Sequence, residues 1–445
     1  MTHRYYLSLA LPLIFATITV PLLGAVDTAV VGQLPNPAYI GGVAVGTVIF
    51  NTMYWLFGFL RVSTSGFAAQ AYGAKDELKS TMAFIRPLCL AILIGLFFIL
   101  VQKPLLQVSL HFLGVDGQVK DICTIYYHIR IWGAPFALMN YVVLGWLLGM
   151  AQIKETVIIQ LAMNIFNIIM ALLLVLVFHL NAAGVAFATL SAEIIAFGIG
   201  VFILVKHHKS RFFFSWKELL FHLSDREPLK KMFIVNRDLF IRTICLLVVF
   251  NIFTAKGASY GELVLAANAI LIQIHYMMAY FYDGLANASS ILTGKAIGEQ
   301  NKDLYKDTVK KSFQWSFLFS AAIALLFAMF SNAIIPIFSV VDEVILLVHE
   351  YEWWLVLFPL CACVGLVLYG VFTGATEAGL VRNSMIGSIL IFLAVFFPAT
   401  QFWGNHGLWL AFITFSLFRS ILLALYIPKL SNRLNFLKEN NLSSK

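Results

Sequence analysis

The chain has 445 residues, of which 61% are hydrophobic and only 12% are charged, with a mean hydropathy of +0.88. A water-soluble fold of this length needs more polar surface than these residues supply, so the composition excludes a soluble globular protein and indicates an all-α integral membrane protein. The net charge of +8 comes from basic residues that flank the apolar segments, as in membrane proteins, so we expect no nucleic-acid partner.

Apolar stretches of roughly 20 residues recur along the chain, and this is the length that a helix needs to cross a bilayer. The first stretch has no small-residue cleavage site and is too long for the apolar part of a signal peptide, so we expect it to stay in the mature protein. The sequence predicts twelve transmembrane helices, at residues 7–33, 42–65, 81–102, 122–149, 155–180, 182–207, 231–255, 262–290, 310–331, 344–374, 382–400 and 406–428.

The basic residues predict the orientation of these helices. Most of the 30 Lys and Arg lie at the two termini and in the even-numbered connections, and only Lys103, Lys120 and Lys256 lie in the odd-numbered ones. Because positive residues accumulate on the cytoplasmic side of a membrane, both termini are expected in the cytoplasm. The prediction is a multi-pass protein of the bacterial cytoplasmic (inner) membrane.

The first predicted helix contains one ionisable residue, Asp27, in an otherwise uncharged run from Leu7 to Gln33. A carboxylate at membrane depth costs several kcal/mol, so such a group is normally protonated, paired or open to water. Its proton or cation occupancy can therefore be coupled to conformation. Asp27 is a candidate for ion coupling, and the alternative is a structural Asp bonded to helix backbones or to a neighbouring Asn.

Aromatic and thioether side chains occur together in the second and the eighth predicted helix. They suit loose binding of flat organic cations, although most aromatic residues of a membrane protein face lipid or the core. The candidate substrate-binding residues are Asn51, Met53, Tyr54 and Trp55 in the second helix and Tyr276, Met277, Tyr280 and Phe281 in the eighth.

The two halves of the chain correspond at an almost constant offset. Gly73 corresponds to Gly298 and Gly149 to Gly374, each 225 residues later, and the prolines of the fourth and tenth helices correspond as well. A duplication of six helices is the simplest explanation. Because each half has an even number of spans, the repeats point the same way, and carriers built like this bind substrate between two lobes that rock against each other.

The predicted domains are an N-terminal lobe of residues 1–207, a cytoplasmic linker of residues 208–230 and a C-terminal lobe of residues 231–445. Within the linker, Ser215-Trp-Lys-Glu218 has the spacing of a capping box and precedes several apolar residues. This pattern predicts an amphipathic helix on the membrane surface, and a plain linker is the alternative.

Several motifs, taken in order, resemble the multidrug and toxic compound extrusion (MATE) family, and specifically its DinF-like branch. The resemblance covers nearly the whole chain and implies an all-α fold of twelve transmembrane helices in two pseudo-symmetric six-helix lobes around a cleft. It also implies export of amphipathic, often cationic compounds, driven by an H⁺ or Na⁺ gradient. The motifs include Val26-Asp27-Thr28-Ala29, Ser65-Gly-Phe-Ala-Ala-Gln-Ala-Tyr-Gly73, Ile129-Arg-Ile-Trp-Gly-Ala-Pro135, Asn236-Arg-Asp-Leu-Phe-Ile-Arg242 and Gly294-Lys-Ala-Ile-Gly298.

The resemblance also assigns an ion-coupling cluster, whose matching positions are Asp27, Asn140, Asn167 and Thr189. Ordinary interhelical hydrogen bonding is the alternative for the two Asn. Many relatives have a second acid where this chain has Ala171, and a single carboxylate suits one proton better than a tightly held Na⁺. We therefore expect H⁺ antiport with Asp27 protonation as the coupling step. A Na⁺-coupled exporter and a lipid-linked precursor flippase are the alternatives.

Other charges lie inside the predicted spans. Arg61 and Asp283 lie near the cytoplasmic ends of the second and eighth helices, and we hypothesise that they form a gate by pairing in one conformation and parting in the other. The alternative is that each belongs to a local network, such as Asp283 with Arg242. Arg130 would oppose Asp27 protonation if it were close, and Glu193 is a second buried acid for which pairing or structure is the favoured role.

An intramembrane enzyme is the remaining class of function. His349-Glu350-Tyr-Glu-Trp353 begins like a zinc-protease motif but has Trp where the second His is required, so we expect no enzyme activity and no metal site. No cofactor is expected beyond the H⁺ gradient. The expected partners are small amphipathic or cationic substrates and the lipid bilayer, and a monomer is expected because each chain contains its own cleft.

Overall fold

The computed structural model describes the backbone of residues 1–32, 34, 36, 38–208, 221–339 and 341–442, with the side chains of these residues except 21–25, 27–29, 207–208 and 434–442. Helices dominate, because a helix satisfies its backbone polar groups internally and a bilayer offers them no other partner. The helices are α1 (His3–Gly32), α2 (Ala38–Leu56), α3 (Phe59–Gly73), α4 (Glu77–Leu100), α5 (Gln102–Leu113), α6 (Gly117–Arg130), α7 (Ala134–Gly149), α8 (Ile153–Leu172), α9 (Asn181–His208), α10 (Arg226–Ala258), α11 (Glu262–Gly298), α12 (Lys302–Ile334), α13 (Asp342–Gly374) and α14 (Ala378–Leu442).

The number of membrane-spanning helices agrees with the sequence. Among the described residues, 10 helical stretches are long and apolar enough to cross a membrane. The last of them, Ala378–Arg433, contains two helices that meet at Gly404, where φ is 52°. Together with the 30 residues of α1, these stretches account for the twelve predicted spans. The predicted amphipathic linker helix falls largely on residues 209–220, outside the described residues.

The chain forms two compact units, each with its own contacts. The N-terminal unit comprises Ile18–Met232, and the C-terminal unit comprises Met1–Thr17 together with Phe233–Lys445. The core of the C-terminal unit is built from apolar residues of α10, α11, α13 and α14, including the fully buried Phe253, Phe358 and Trp409.

The first turns of α1 belong to the C-terminal unit, where they pack on α11. Tyr6 Oη and Ser289 Oγ are 2.8 Å apart, and Thr17 Oγ1 donates to Tyr280 O at 2.9 Å. Between these contacts Gly284 permits a close approach, because a Cβ there would overlap the backbone of α1. From the sequence, the whole first helix was expected in the N-terminal lobe. A helix that is apolar on every side carries no pattern that indicates which helices it packs against, so these contacts could not be predicted.

The same close glycine-to-backbone packing of two helices occurs in both units, at positions 225 residues apart. In the N-terminal unit two glycines of α7 touch backbone carbonyls of α3, and in the C-terminal unit two glycines of α13 touch backbone carbonyls of α11. Small residues allow this approach of backbones in membrane proteins. The recurrence agrees with the predicted duplication. The pairs are Gly145 with Arg61, Gly149 with Ser65, Gly370 with Ala286 and Gly374 with Ser290.

The fourth span is interrupted where the tenth is continuous. α6 ends at Arg130, Ile131–Gly133 forms a 3-10 turn, and α7 then starts with Pro135 in its first turn, where a proline is tolerated. The corresponding Pro359 lies inside α13, which continues through it. The two repeats therefore differ in backbone at this point, and the interruption lies beside Glu193 of α9.

Candidate functional site

Asp27, the predicted coupling residue, lies on α1. The backbone of this helix is described there, but the Asp27 side chain lies outside the described residues. Its role and its distance from Arg130 therefore stay predictions. The other members of the predicted cluster are described.

Two of the predicted coupling residues bond to each other, and the third bonds to the backbone of α9 one turn away. Asn167 of α8 donates to Thr189 Oγ1 at 3.1 Å, and Thr189 in turn donates to Val185 O at 3.1 Å. Asn140 of α7 donates to the backbone carbonyl of Glu193 at 2.8 Å. Thr189 and Glu193 are one turn apart, so they lie on the same side of α9. All three predicted residues are buried, with exposed fractions of 2–8%.

Several oxygen atoms of this cluster receive no hydrogen bond from the described part of the chain. Asn140 Oδ1, Asn167 Oδ1 and Glu193 Oε2 are buried and have no hydrogen-bond partner among the described residues. Buried polar atoms are nearly always satisfied, so an unsatisfied group in a native fold requires an explanation. The two amide oxygens are acceptors, and so is the Glu193 oxygen when its carboxyl group is ionised, which favours a proton donor or a small cation as the missing partner. Ala171, the position of the absent second acid, is fully buried.

Glu193, the second buried acid noted in the sequence, belongs to the same cluster, and its pairing or structural role stays a prediction. Its carboxyl group lies against Gly133 in the interruption between α6 and α7, where a Cβ would overlap Oε2. The signal was present in the sequence, because Glu193 follows Thr189 by one helical turn in an apolar span. The interruption that makes room for its carboxyl group could not be inferred from the sequence pattern.

Arg130 forms the basic part of the same unit. It is 9% exposed, and its Nη1 donates to Tyr126 Oη at 2.7 Å. Its guanidinium carbon lies 4.7 Å from the ring centroid of Phe50 and 6.0 Å from that of Tyr54, so cation–π attraction holds the charge in place. Arg130 and Glu193 attract each other electrostatically.

The proposed substrate-binding residues differ in exposure. In α2, Asn51 is exposed, whereas Met53 and Tyr54 are only 6% exposed. Tyr54 lies beside Arg130 and thus belongs to the surroundings of that charge. In α11, Tyr276, Met277 and Tyr280 are all partly exposed. Substrate contact stays a prediction for these six, and also for Trp55 and Phe281.

The predicted gate residues lie in different compact units. Arg61 lies on α3, and its Nε and Nη2 are buried without a hydrogen-bond partner in the described part of the chain. Asp283 of α11 accepts a hydrogen bond from Asn287 at 3.3 Å. The alternative pairing of Asp283 with Arg242 is not found among the described ion pairs. Pairing of Arg61 with Asp283 stays a prediction.

Comparison with known proteins identifies the family. The family model described as MatE matches residues 12–173 and 239–398, which is most of the chain. The chain is a member of the MATE family. This MATE protein is 35% identical over 416 residues to the DNA damage-inducible protein F of Escherichia coli (strain K12), covering 94% of the chain and 90% of that protein.

More distant relatives are named for multidrug export or multidrug resistance. This MATE protein is 21% identical over 344 residues to the multidrug export protein MepA of Staphylococcus haemolyticus (strain JCSC1435), covering 76% of the chain and 74% of that protein. It is 23% identical over 448 residues to the probable multidrug resistance protein NorM of Photorhabdus laumondii subsp. laumondii, covering 97% and 96%. The homologues of this MATE protein are thus multidrug efflux transporters of the membrane, and no enzyme is among those named here.

Solved structures confirm the fold. An outward-facing multidrug resistance MATE family transporter of the MOP superfamily superposes with a TM-score of 0.87 at 17% identity, covering 98% of the chain and 96% of that structure. The bent form of the Vibrio cholerae MATE transporter VcmN gives a TM-score of 0.85 at 17% identity, covering 97% and 98%. The predicted family and the predicted all-α fold of this MATE protein are confirmed.

Proposed function

We propose that this MATE protein is a secondary active exporter that exchanges amphipathic, cationic organic compounds for H⁺ by alternating access. Protonation of Asp27 is the coupling step. The polar cluster of the N-terminal unit stabilises the proton while it crosses the membrane. No cofactor other than the H⁺ gradient takes part.

The set of unpartnered acceptors carries this proposal. Asn140, Asn167 and Glu193 each present a buried oxygen in the N-terminal unit to which none of the described residues donates. The amide nitrogens of both Asn are already committed to acceptors on α9, so oxygen is the group that they leave open. A protonated carboxyl group is a donor that such oxygens can bind, and an ionised one is not. This difference is what couples proton occupancy to structure.

The names of the relatives support a multidrug cargo. MepA is named a multidrug export protein and NorM a probable multidrug resistance protein. The aromatic rings and the methionine on α11 offer polarizable surface for such compounds. The same acceptors could also ligate Na⁺, so a Na⁺-coupled exporter remains the second candidate, with a lipid-linked precursor flippase as the third.

Efflux of ethidium, a cationic dye, from proteoliposomes tests the proposal. We expect efflux by the wild-type protein under an imposed pH gradient, and we expect Asp27→Asn to abolish the gradient-driven part while dye binding is retained. Glu193→Gln should keep coupled efflux but change its pH dependence, because the carboxyl group interacts with the cluster without being the coupling group. Glu262→Gln, at an exposed position of α11, is the matched control and should behave as wild type.

Three outcomes separate the candidates. Undiminished gradient-driven efflux by Asp27→Asn excludes Asp27 as the coupling residue. Efflux that follows a Na⁺ gradient at equal pH on both sides favours the Na⁺-coupled alternative. Movement of a phospholipid analogue in place of the dye favours the flippase.

A further inference from the structure

Two arginines of the C-terminal unit, one buried and one half-buried, have no anionic partner among the described residues. Arg419 of α14 is 9% exposed, and its Nη2 has no hydrogen-bond partner in the described part of the chain. Arg242 of α10 is partly exposed, and its Nε is buried and likewise unpartnered. The guanidinium carbon of Arg242 lies 4.2 Å from the ring centroid of Tyr369 on α13. A neutral ring attracts a cation but does not cancel its charge.

The two positive charges act on each other. Ser420, the residue after Arg419, accepts from Gly365 N at 2.9 Å, and Gly365 lies one turn before Tyr369, whose ring carries Arg242, so the two guanidinium groups repel each other. His275 of α11 packs on Phe412, two turns before Arg419, with the ring centroids 5.1 Å apart, and Arg419 also repels a positive charge on it. His275 is 6% exposed, and its Nδ1 has no hydrogen-bond partner among the described residues. A guanidinium keeps its proton inside proteins, so these arginines cannot become neutral to relieve the repulsion. A buried pair of like charges with open donors is stabilised by a bound anion.

Acidic residues of the same helices do not supply that anion. Asp238 lies one turn before Arg242 on α10, but its Oδ1 accepts from Arg237 at 2.9 Å and from Arg382 at 2.8 Å. Asp283 of α11 is hydrogen-bonded within its own helix. Within the described ranges of the chain, neither acid forms an ion pair with Arg242 or Arg419.

We propose that Arg242, Arg419 and His275 form a binding site for a phosphate-type oxyanion carried by an amphipathic molecule. Two fixed positive charges match the roughly −1.5 to −2 charge of a phosphate monoester. Guanidinium groups bind such oxygens through paired N–H donors. The Phe358 ring lies 4.1 Å from the His275 ring, centroid to centroid, and this packing fixes the position of the imidazole. The partly exposed Arg242 offers the way in, and the buried Arg419 forms the inner end of the site.

Binding to the purified full-length protein tests the site without any gradient, so its failure is distinguishable from failure of the proposed efflux function. The protein is placed in nanodiscs of phosphatidylcholine, and its thermal stability is measured with dodecyl phosphate and with dodecyltrimethylammonium, which share a chain and differ in the sign of the head group. We expect stabilisation by dodecyl phosphate that exceeds the effect of the cation. Two further arms distinguish the source of the phosphate: soluble inorganic pyrophosphate, and nanodiscs that contain phosphatidic acid.

Arg419→Gln should change the thermal stability in a direction that loss of a purely structural arginine would not. Without anion, the variant should be more thermostable than the wild type, because the repulsion is removed. With dodecyl phosphate the order should reverse, and affinity should fall roughly tenfold or more, since each charge-assisted hydrogen bond is worth at least that factor. Arg242→Gln should act in the same direction, and it serves as the test variant if Arg419→Gln does not fold.

Arg237→Gln is the matched control. It removes an Arg from the same helix, its side chain is 57% exposed, and its partner Asp238 keeps Arg382. Equal affinity for dodecyl phosphate in Arg419→Gln, Arg242→Gln and the wild type would overturn the site. Equal stabilisation by the cationic amphiphile would overturn it too. A response to phosphatidic acid alone assigns the site to a lipid head group, and a response to pyrophosphate assigns it to a soluble phosphate.

Discussion

Asn268 of α11 is a buried residue whose side chain joins two residues of α14, Asn405 and Trp409. It donates to Asn405 Oδ1 at 2.8 Å, and its own Oδ1 accepts from Asn405 Nδ2 at 3.0 Å and from Trp409 Nε1 at 2.9 Å. Asn268 is 2% exposed and Asn405 6%. Every polar atom of the Asn268 side chain therefore has a partner inside the C-terminal unit.

Replacing Asn268 by Leu should destabilise the C-terminal unit. The change leaves the Asn405 amide and the Trp409 N–H buried and unsatisfied, which costs about 1–3 kcal/mol of the free energy of unfolding. Denaturant unfolding of the purified protein, followed by fluorescence, measures the loss. Asn251→Leu is the control, because Asn251 is exposed and bonds only to Leu247 O of its own helix. Equal stability of the two variants would show that the network contributes nothing.

The two units differ in the charged residues that accompany their buried arginines. The N-terminal unit buries Arg130 with an acid, Glu193, that attracts it. The C-terminal unit buries Arg419 beside another arginine. Among the described residues, the polar cluster around Thr189 leaves oxygen acceptors unpartnered, whereas Arg242 and Arg419 leave nitrogen donors unpartnered. The first arrangement suits a cation or a proton, and the second suits an anion.

Helix pairs are held together by close backbone approach at glycine. The contacts of α7 with α3 and of α13 with α11 place Gly145 and Gly370 against backbone carbonyls, which cannot move aside as a flexible side chain can. The free energy of these contacts comes from packing, because apolar burial drives helices together only weakly inside lipid. The same device at repeat-equivalent positions indicates that both units depend on it.

Gly145→Ala and Gly370→Ala should each destabilise the protein by about 1–3 kcal/mol, because the added methyl group forces two helices apart. Thermal unfolding in detergent gives the comparison with wild type. Gly198→Ala is the matched control on α9, where nothing lies within 4 Å of an added Cβ. We expect this variant to be neutral or more stable, since Ala favours a helix over Gly. Similar losses in all three variants would contradict the packing argument.

The orientation of the whole molecule rests on the distribution of its basic residues. Lys103 on α5 and Lys302 on α12 are both exposed, and they lie in connections of opposite predicted side. Positive residues mark the cytoplasmic side, so Lys302 should face the cytoplasm and Lys103 the outside.

Cysteine labelling in intact cells tests this orientation. After replacement of the five free cysteines, Lys103→Cys should react with a membrane-impermeant maleimide, whereas Lys302→Cys should react only after the cells are broken. Retained efflux by the cysteine-free background is the control for folding. The opposite labelling pattern would reverse the predicted topology.

The sequence was sufficient for the number of spans, the duplication and the family. Apolar length is a property of consecutive residues, and repeats and motifs are read along the chain without knowledge of contacts. The resemblance to the MATE family also singled out Asn140, Asn167 and Thr189, because they match the positions of a polar cluster in relatives.

Tertiary structure alone decided which of these groups meet and which stay unsatisfied. Gly133, which has no side chain, leaves room for the carboxyl group of Glu193, and the start of α1 packs on α11. Contacts of α13 with both α10 and α14 bring Arg242 and Arg419 together from helices far apart in the chain. An unpaired donor or acceptor is defined by the absence of a neighbour in space. Sequence periodicity says which way a side chain points along its own helix, but not which helix it meets.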